Sequence, residues 1–341
     1  MKRKRMLLYM SDFYGYYQEI ISELNCQNWD VTWYLDQLRL TLAQIVISKL
    51  HKGYKERLFD AYFKKTLEDN RNEDIDMMLV IFAAGYFKPK HMSLFRQYFP
   101  NAEVVYYSWD AIANYPATKA LIDSADRAYT FDLADSEMYG ISFLPLFYIP
   151  SVLKKKKLVY HCSSIMSFQP EKSESMKKLL KTIPPDTNNF IYLRVGNKML
   201  QFRMKLFSRK QIKGLEQYFH QESLSRDDVI STFAASVAVI DCPRPHQNGL
   251  TMRTFEVLSL GRKLITTNEN IKKYEFYTPN NIYVIDEAHK SIPKSFFETQ
   301  FDTKYALGEK YSLPHFIQVL TTESPIVKEV DEQNESISNR S

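Results

Sequence analysis

The chain has 341 residues, of which 45% are apolar and 25% charged, and its net charge is +5. This length exceeds one ordinary hydrophobic core and suits two domains of about 150 residues each. No apolar run reaches the roughly 18 residues that cross a bilayer, and the three cysteines show neither zinc-ligand spacing nor a disulfide pattern. We therefore expect a globular protein of the cytoplasm, where a reducing environment keeps its cysteines as thiols.

The positive charge is concentrated in two runs, residues 2–5 and residues 154–157. One interpretation is a solvated tail and a solvated linker. The other is peripheral contact with the inner face of an anionic membrane, to which each basic residue near the surface contributes about 1 kcal/mol. The chain has no helix-turn-helix, zinc-finger or RNP-like pattern, so nucleic acid is not an expected partner.

The first half of the chain alternates between segments of strand and helix character. Residues 76–83 are a continuous apolar run, as is typical of a strand buried on both faces of a parallel sheet. Pro89 stands where a helix begins and its missing N–H costs nothing. The predicted strands are 5–10, 30–35, 76–83, 103–108 and 126–131, and the predicted helices are 13–25, 37–68 with a break at Gly53, and one from Pro89.

The alternation stops at residues 144–157, which contain two prolines and a lysine run and predict an interdomain connection. Beyond them it restarts, and Ser225 and Asp228 have the spacing of a capped helix start. The predicted strands are 158–162, 189–195, 236–241, 263–267 and 281–285, and the predicted helices are 171–181, 225–233 and 251–260. Residues 324–341 are polar and acidic, which predicts a disordered tail.

Strands that alternate with helices predict an α/β protein. We expect two Rossmann-like doubly wound domains, residues 1–150 and 151–323, that face a cleft. Open sheets of this kind bind ligands at the carboxyl ends of their strands, so the cleft is the expected site.

The segment HQNGLTMRTFEVLSLGRKLITTN, residues 246–268, follows the predicted strand that ends at Asp241. Its first part is a polar turn, and its helix begins near Leu250 or Thr251. The unpaired N–H groups of a helix start attract phosphate, and Gly249 would let backbone approach that phosphate closely. Thr251 and Arg253 can donate further hydrogen bonds, and Glu256, one turn on, would accept from ribose hydroxyls.

Each of these residues also has a plain structural interpretation. Gly249 could form a simple turn, Gly261 could end the helix, and Glu256 could be a solvated helix residue. The ordered combination favours a nucleotide site. The dinucleotide fingerprint G-x-G-x-x-G and the Walker A loop are both absent from the sequence, which argues against NAD enzymes and P-loop NTPases.

The stretch NGLTMRTFEVLSLGRKLI resembles the donor-binding segment of GT-B glycosyltransferases. The stretches QNGLTMRTFE and ITTN are similar in sequence to segments of bacterial lipopolysaccharide-core and capsule glycosyltransferases, including the CgeB-like and RfaS-like groups. The resemblance implies a nucleotide-sugar donor as substrate and no separate cofactor. It implies that Glu256 binds the ribose and that Gly249 and Thr251 lie near the diphosphate. Asn248 replaces the first glutamate of the family pattern. The predicted donor-binding residues are His246, Gln247, Asn248, Gly249, Leu250, Thr251, Arg253 and Glu256.

An acceptor hydroxyl needs a general base if the transfer is inverting. Asp12 and Asp110 both follow predicted strands of the first domain, and we predict them as candidates. Asp132 and Asp135 are expected to form a turn and a helix cap. Arg209 is the candidate cation for the developing charge of the diphosphate, with a solvated surface position as its alternative. We predict no essential metal, since the one Asp-x-Asp in the sequence, residues 74–76, precedes a strand.

We therefore predict a glycosyltransferase that uses a nucleotide-activated sugar and a saccharide or glycolipid acceptor. A CDP-polyol phosphotransferase is one alternative, although the seven histidines form no evident catalytic pair. The other is a non-catalytic nucleotide-sugar or glycan-binding subunit of a polysaccharide assembly complex.

Overall fold

The computed structural model describes residues 2–81, 86–150, 156–184, 187–196, 206, 209–244, 247–285 and 291–322. Its strands form two sheets of six strands each, and every pairing within them is parallel. Helices connect the strands, so the α/β class and the two Rossmann-like doubly wound domains are confirmed. His246, part of the second basic run and the predicted acidic tail lie outside the described residues.

The first sheet has the order β2-β1-β3-β4-β5-β6, and the strand order reverses between β1 and β3. All five side chains of β3 are buried, as its apolar run predicts. The strands are β1 Lys4–Met10, β2 Trp29–Tyr34, β3 Met77–Ile81, β4 Glu103–Ser108, β5 Arg127–Thr130 and β6 Ser142–Phe143.

The three predicted helical segments of this half each correspond to helices, whereas the helix over residues 118–124 was not predicted. The long stretch 37–68 splits into two helices at Gly53, whose φ of 85° is in the left-handed region that glycine adopts without strain. The helices are α1 Tyr16–Cys26, α2 Leu42–Leu50, α3 Tyr54–Asp69, α4 Pro89–Tyr98, α5 Thr118–Ser124 and α6 Leu133–Tyr139.

The second sheet has the order β12-β11-β10-β7-β8-β9, which reverses between β7 and β10. The prediction of a strand over 158–162 is wrong in its bounds, because β7 continues to Ser167. Ser163 and Ser164 interrupt the apolar pattern on which the predicted bounds depend. Both serines are nevertheless buried, and the Ser164 hydroxyl donates to the Ile240 carbonyl at 3.2 Å. The strands are β7 Tyr160–Ser167, β8 Asn189–Arg194, β9 Phe219–His220, β10 Ser236–Asp241, β11 Lys263–Thr266 and β12 Ile282–Val284.

The helices of the second half include the predicted capped one. The Ser225 hydroxyl accepts from the backbone N–H of Asp228 at 3.1 Å, at the start of α9. The helices are α7 Ser173–Thr182, α8 Arg209–Ile212, α9 Arg226–Ala234, α10 Met252–Ser259, α11 Lys294–Glu298 and α12 Leu313–Thr321. Among the described residues, no helix has both the length and the apolar character needed to cross a membrane.

The last helix, α12, returns to the first sheet, which the sequence analysis did not predict. Its Phe316 ring lies 4.8 Å from the Tyr107 ring and 4.6 Å from the Phe147 ring, centroid to centroid. Arg127, on β5, donates to the Leu320 carbonyl at 3.0 Å. The C-terminal part of the chain therefore contributes to the core on the first sheet.

A buried histidine joins α3 to α4 in the first domain. His91 is 2% exposed, and its Nδ1 accepts the Lys88 backbone N–H at 2.8 Å. The proton of the neutral ring must therefore be on Nε2, which donates to Asp60 Oδ1 at 2.8 Å. Burial lowers the pKa of His91, and its hydrogen bond with Asp60 opposes this shift. Lys88 and Lys90 also face this contact, both bound to Glu56.

We expect the free energy of unfolding to decrease as pH falls from about 7 to about 5, because the unfolded chain then binds a proton that folded His91 resists. Urea unfolding across this window, on wild type and His91→Gln, tests the effect. The glutamine amide can donate to Asp60 and cannot titrate, so the variant should lose less stability on acidification. The pKa of Glu56 is lowered to about 2 by Lys88 and Lys90, so its effect falls below this window. An equal pH slope in both proteins would contradict the assignment.

Candidate functional site at the interdomain seam

The carboxyl ends of the strands of both sheets face each other, and loops from the two sides are in direct hydrogen-bonded contact. We call this region the interdomain seam. It brings together the segments after β1, β4 and β5 of the first sheet and those at the ends of β7 and β10 of the second. The contacts across it are Tyr14–Ser167 at 2.7 Å, Tyr16–Glu256 at 2.8 Å, Asp110–Arg244 at 3.2 Å and Asp132–Gly249 at 2.8 Å.

The segment after β1 turns sharply toward the second domain. Tyr14 has a φ of 53°, which is unusual for a residue with a side chain, and Gly15 follows at 74°. This turn starts α1 at Tyr16, whose hydroxyl reaches Glu256 Oε1. Backbone strain of this kind is retained where surrounding contacts fix it, here the hydrogen bonds of both tyrosines across the seam.

Glu256 is a buried carboxylate in the seam, 8% exposed, on the fifth residue of α10. Burial raises its pKa, and the hydrogen bond from Tyr16 and the positive charges of Arg253 and Arg226 oppose that rise. Burial and the nearby Glu256 charge raise the pKa of Tyr16 well above its usual value, so Tyr16 keeps its proton and donates. The interpretation of Glu256 as a solvated helix residue is therefore wrong.

Gly249 lies directly against the first domain. Its backbone N–H donates to Asp132 Oδ2 at 2.8 Å, and a Cβ at this position would lie 2.4 Å from Cε2 of Phe131. Asp132 also accepts from the backbone N–H of Ala134 at 2.9 Å through its other oxygen, as the predicted cap of α6. The amide of Gly249 thus already holds an anion, a carboxylate of the opposite domain.

Two predicted phosphate ligands have a partner within their own domain. The Thr251 hydroxyl donates to Asp241 Oδ2 at 2.6 Å, and Arg253 Nη1 donates to Asp241 Oδ1 at 2.8 Å. Asp241, at the end of β10, is 2% exposed. Arg253 also donates to the Ile165 carbonyl, and its buried Nε has no hydrogen-bond partner among the described residues. These bonds fix the loop between β10 and α10 in position.

Two basic residues that the sequence analysis missed surround this loop. Lys172 follows β7 in a 3-10 turn, and burial lowers its pKa while the charge of Asp241 opposes the shift. Arg244 follows β10 and donates to Gln169 Oε1 at 3.1 Å and across the seam to Asp110. With Arg253, three cations gather at the point where the strand order of the second sheet reverses, which is where doubly wound sheets bind ligands.

The two predicted bases have different surroundings. Asp110 is 18% exposed and accepts from Arg244, from the Asn114 amide and from the Ala111 backbone N–H. Asp12 is exposed and forms an ion pair with Arg39. The structure therefore brings Asp110 into the seam and leaves Asp12 beside it, toward solvent.

The remaining predicted donor residues are distributed around the same loop. Gln247 is half-buried and donates to the Gly249 carbonyl at 3.3 Å, Asn248 is exposed, and Leu250 is buried in the core. The Asn268 side-chain amide, from the ITTN stretch, donates to the Asn248 carbonyl at 3.1 Å and so holds the loop between β10 and α10 against the residues that follow β11. Arg209 is exposed on the four-residue helix α8, and no contact joins it to the other predicted residues among the parts of the chain described. His246 lies outside the described residues.

No protein-family model matches the chain, and no curated protein matches it. Solved structures share its fold. HepE of Anabaena, crystallised with UDP and glucose, aligns with a TM-score of 0.56 at 10% identity over 93% of this chain and 98% of that one. A glycosyltransferase from Rickettsia africae gives 0.54 at 10% identity over 94% of each chain. UDP-GlcNAc 2-epimerase of Neisseria meningitidis, bound to UDP-GlcNAc, gives 0.52 at 8% identity over 93% and 98%.

At these identities the likeness establishes the fold. The chain has the GT-B architecture, in which two Rossmann-like domains face each other through the carboxyl ends of their strands. Those three similar structures include two kinds of enzyme, so the architecture by itself does not decide the reaction.

The close approach at Gly249 gives a direct test of the seam. We expect Gly249→Ala to destabilise the protein by about 1–3 kcal/mol, because the added methyl group overlaps the buried Phe131 ring. Gly308→Ala is the matched control, since its Cβ would meet no atom within 4 Å and its φ of −73° suits alanine. Urea unfolding of both variants measures the difference. Equal stability of the two would show that the Gly249–Phe131 contact does not exist in solution.

Proposed function

We propose that the protein is a metal-independent glycosyltransferase. It moves a sugar from a nucleotide-diphosphate or CMP donor to a saccharide or lipid-linked acceptor in bacterial surface-polysaccharide biosynthesis. The observation that carries this proposal is the buried carboxylate of Glu256 in the seam, one turn inside a helix whose N-terminus is flanked by three cations. HepE, with the same architecture, was crystallised with UDP-glucose, and the motif resemblance supports the polysaccharide role.

In this proposal the donor replaces contacts that the two domains make with each other. A diphosphate oxygen takes the place of Asp132 on the Gly249 N–H, and the ribose hydroxyls donate to Glu256. Lys172, Arg244 and Arg253 stabilise the negative charge that develops as the diphosphate leaves, which is the most demanding electrostatic task of the reaction. The donor is a substrate, and no separate cofactor is required.

The transfer joins the acceptor oxygen to the anomeric carbon and breaks the bond between that carbon and the phosphate oxygen. The hydroxyl proton passes to a base, and the nucleotide leaves with the bonding electron pair. Asp110 is the better placed of the two candidate bases because it lies in the seam, with Arg244 beside it. Asp12 would need to leave its ion pair with Arg39 first.

The alternatives predict different products. A non-catalytic binding subunit would bind the nucleotide sugar and release neither sugar nor nucleotide. A CDP-polyol phosphotransferase would leave CMP, and an epimerase would change the sugar without an acceptor. Incubation with a panel of activated sugars, followed by chromatography of nucleotide and sugar, separates these outcomes. The protein is proposed to act in the cytoplasm, with peripheral contact at the inner membrane face.

The ribose role of Glu256 gives a sharp prediction. Glu256→Gln should weaken nucleotide binding by about tenfold to a hundredfold, since hydrogen bonds to a charged group contribute about 1.5–3 kcal/mol. Tyr16→Phe removes the hydroxyl that donates to Glu256 in the absence of a nucleotide. Because the ribose then has no hydroxyl to displace, this variant should bind nucleotides as tightly as wild type or more tightly. Calorimetric titration with UDP, GDP, CMP and dTDP measures both variants. If Glu256→Gln binds every nucleotide as wild type does, the ribose role is wrong.

The charge of Lys172 should act mainly on the leaving diphosphate. We expect Lys172→Gln to lower kcat for transfer or donor hydrolysis by about a hundredfold, as loss of one donor to a developing oxyanion does. Lys181→Gln, at an exposed position on the next helix, is the control. The wild-type rate should fall as pH rises through the lowered pKa of Lys172, and this limb should be absent in the variant. Unchanged kcat in Lys172→Gln would remove Lys172 from the mechanism.

A further inference from the structure

Helix α2 presents its apolar side chains to solvent. Leu42 is 84% exposed, Val46 57% and Leu50 75%, and no residue of the helix is buried. Its two half-buried residues are polar ones, Gln44 and Ser48. A helix that packs on its own protein shows the opposite arrangement, with the apolar face inward. A contiguous apolar surface of this kind marks a place of interaction.

The segment that contains α2 is strongly basic. Residues 37–55 include Arg39, Lys49, Lys52 and Lys55 and no aspartate or glutamate. The flanking carboxylates are already engaged, since Asp36 is fully buried and bonded to Ser11 and Glu56 binds two lysines. We refer to Leu42, Ile45, Val46, Lys49 and Leu50, with the neighbouring Lys52, as the α2 surface.

The charge of this surface selects among its possible occupants. A second copy of the chain docked through α2 would bring together two surfaces that both carry Lys49 and Lys52, and residues 37–55 contain no carboxylate to compensate them. An anionic lipid surface accepts both features, because apolar side chains enter the acyl boundary while lysines reach the headgroups.

The first basic run is less suited to this role. Lys2 pairs with Asp74 at 2.8 Å, and Arg5 pairs with Glu73 and lies 3.6 Å from Asp30. These acidic partners offset the positive charge of the run. It also lies at the amino end of β1, whereas the seam lies at the carboxyl ends of the strands.

We propose that the α2 surface docks the protein on a bilayer that carries anionic phospholipid headgroups. Leu42, Val46 and Leu50 insert at the level of the acyl boundary, and Lys49 and Lys52 contact headgroup phosphates. This proposal deepens and rests on the membrane contact included in the proposed function. It is tested without donor or acceptor, so its failure and a failure of sugar transfer remain distinguishable.

The experiment is sedimentation of the full chain with vesicles of phosphatidylcholine alone and of phosphatidylcholine with phosphatidylglycerol. We expect binding to the anionic vesicles that decreases with added salt. Val46→Ser with Leu50→Ser, and separately Lys49→Gln with Lys52→Gln, should each lower the partition coefficient by about tenfold or more. The matched controls are Met138→Ser, at a position 73% exposed, and Lys64→Gln with Lys65→Gln, exposed on α3. Both controls should bind as wild type does.

Three results would overturn the proposal. Wild type could fail to bind anionic vesicles, or both α2 variants could bind as tightly as wild type. Sedimentation velocity could instead show a dimer that Val46→Ser with Leu50→Ser dissociates, with no vesicle binding, which would assign the surface to a second copy. The substituted side chains are exposed, so thermal unfolding midpoints equal to wild type will show that the variants are folded.

Discussion

The seam depends on the burial of one carboxylate. A charged group removed from water costs several kcal/mol unless hydrogen bonds and opposite charges compensate it. Glu256 receives that compensation from both domains, from the Tyr16 hydroxyl on one side and from the Arg253 and Arg226 charges on the other. Because a residue of the first domain completes the surroundings of a residue of the second, the position of α1 and the position of α10 are energetically linked.

A ligand with vicinal hydroxyls can provide the same compensation as Tyr16. A phosphate oxygen of such a ligand can accept the hydrogen bond that the Gly249 amide donates to Asp132 in this structure. The contacts between the domains thus have the same chemistry as a nucleotide, a hydroxyl at Glu256 and an anion at Gly249. If a nucleotide replaced these interdomain hydrogen bonds with its own, few buried polar groups would lose their partners. The free energy needed to separate the two domains at these points would therefore be moderate.

Local sequence determined much of the fold. The apolar runs of β3 and β4, the break at Gly53 and the cap at Ser225 are all short-range features, and the structure has each of them. The run of β7 was predicted too short because its buried serines satisfy their hydroxyls with neighbouring strands, which no single segment shows. Helix α12 was missed for a similar reason, since its apolar face packs on a sheet about 200 residues earlier in the chain, beside Tyr107.

The candidate site divides in the same way. Gly249, Thr251, Arg253 and Glu256 lie in one continuous segment, so their order along the chain indicated a common loop and helix. Lys172 and Arg244 stand after two strands that are neighbours only because the sheet order reverses between β7 and β10. Strand order is a tertiary property, and periodicity along the chain does not contain it.

The position of α2 connects the two proposals. The segment that leads into α2 begins at the carboxyl end of β2. The segments with Asp12 and Asp110 follow β1 and β4, so they begin at the same end of the first sheet. Arg39, just before α2, binds Asp12 and ties this segment to the end of β1. A bilayer bound by the α2 surface would therefore contact a segment that is joined directly to the end of β1. A lipid-linked acceptor could keep its acyl chains in the membrane while its sugar reaches Asp110, so that the substrate need not be extracted into water, where its apolar chains would be costly to hydrate.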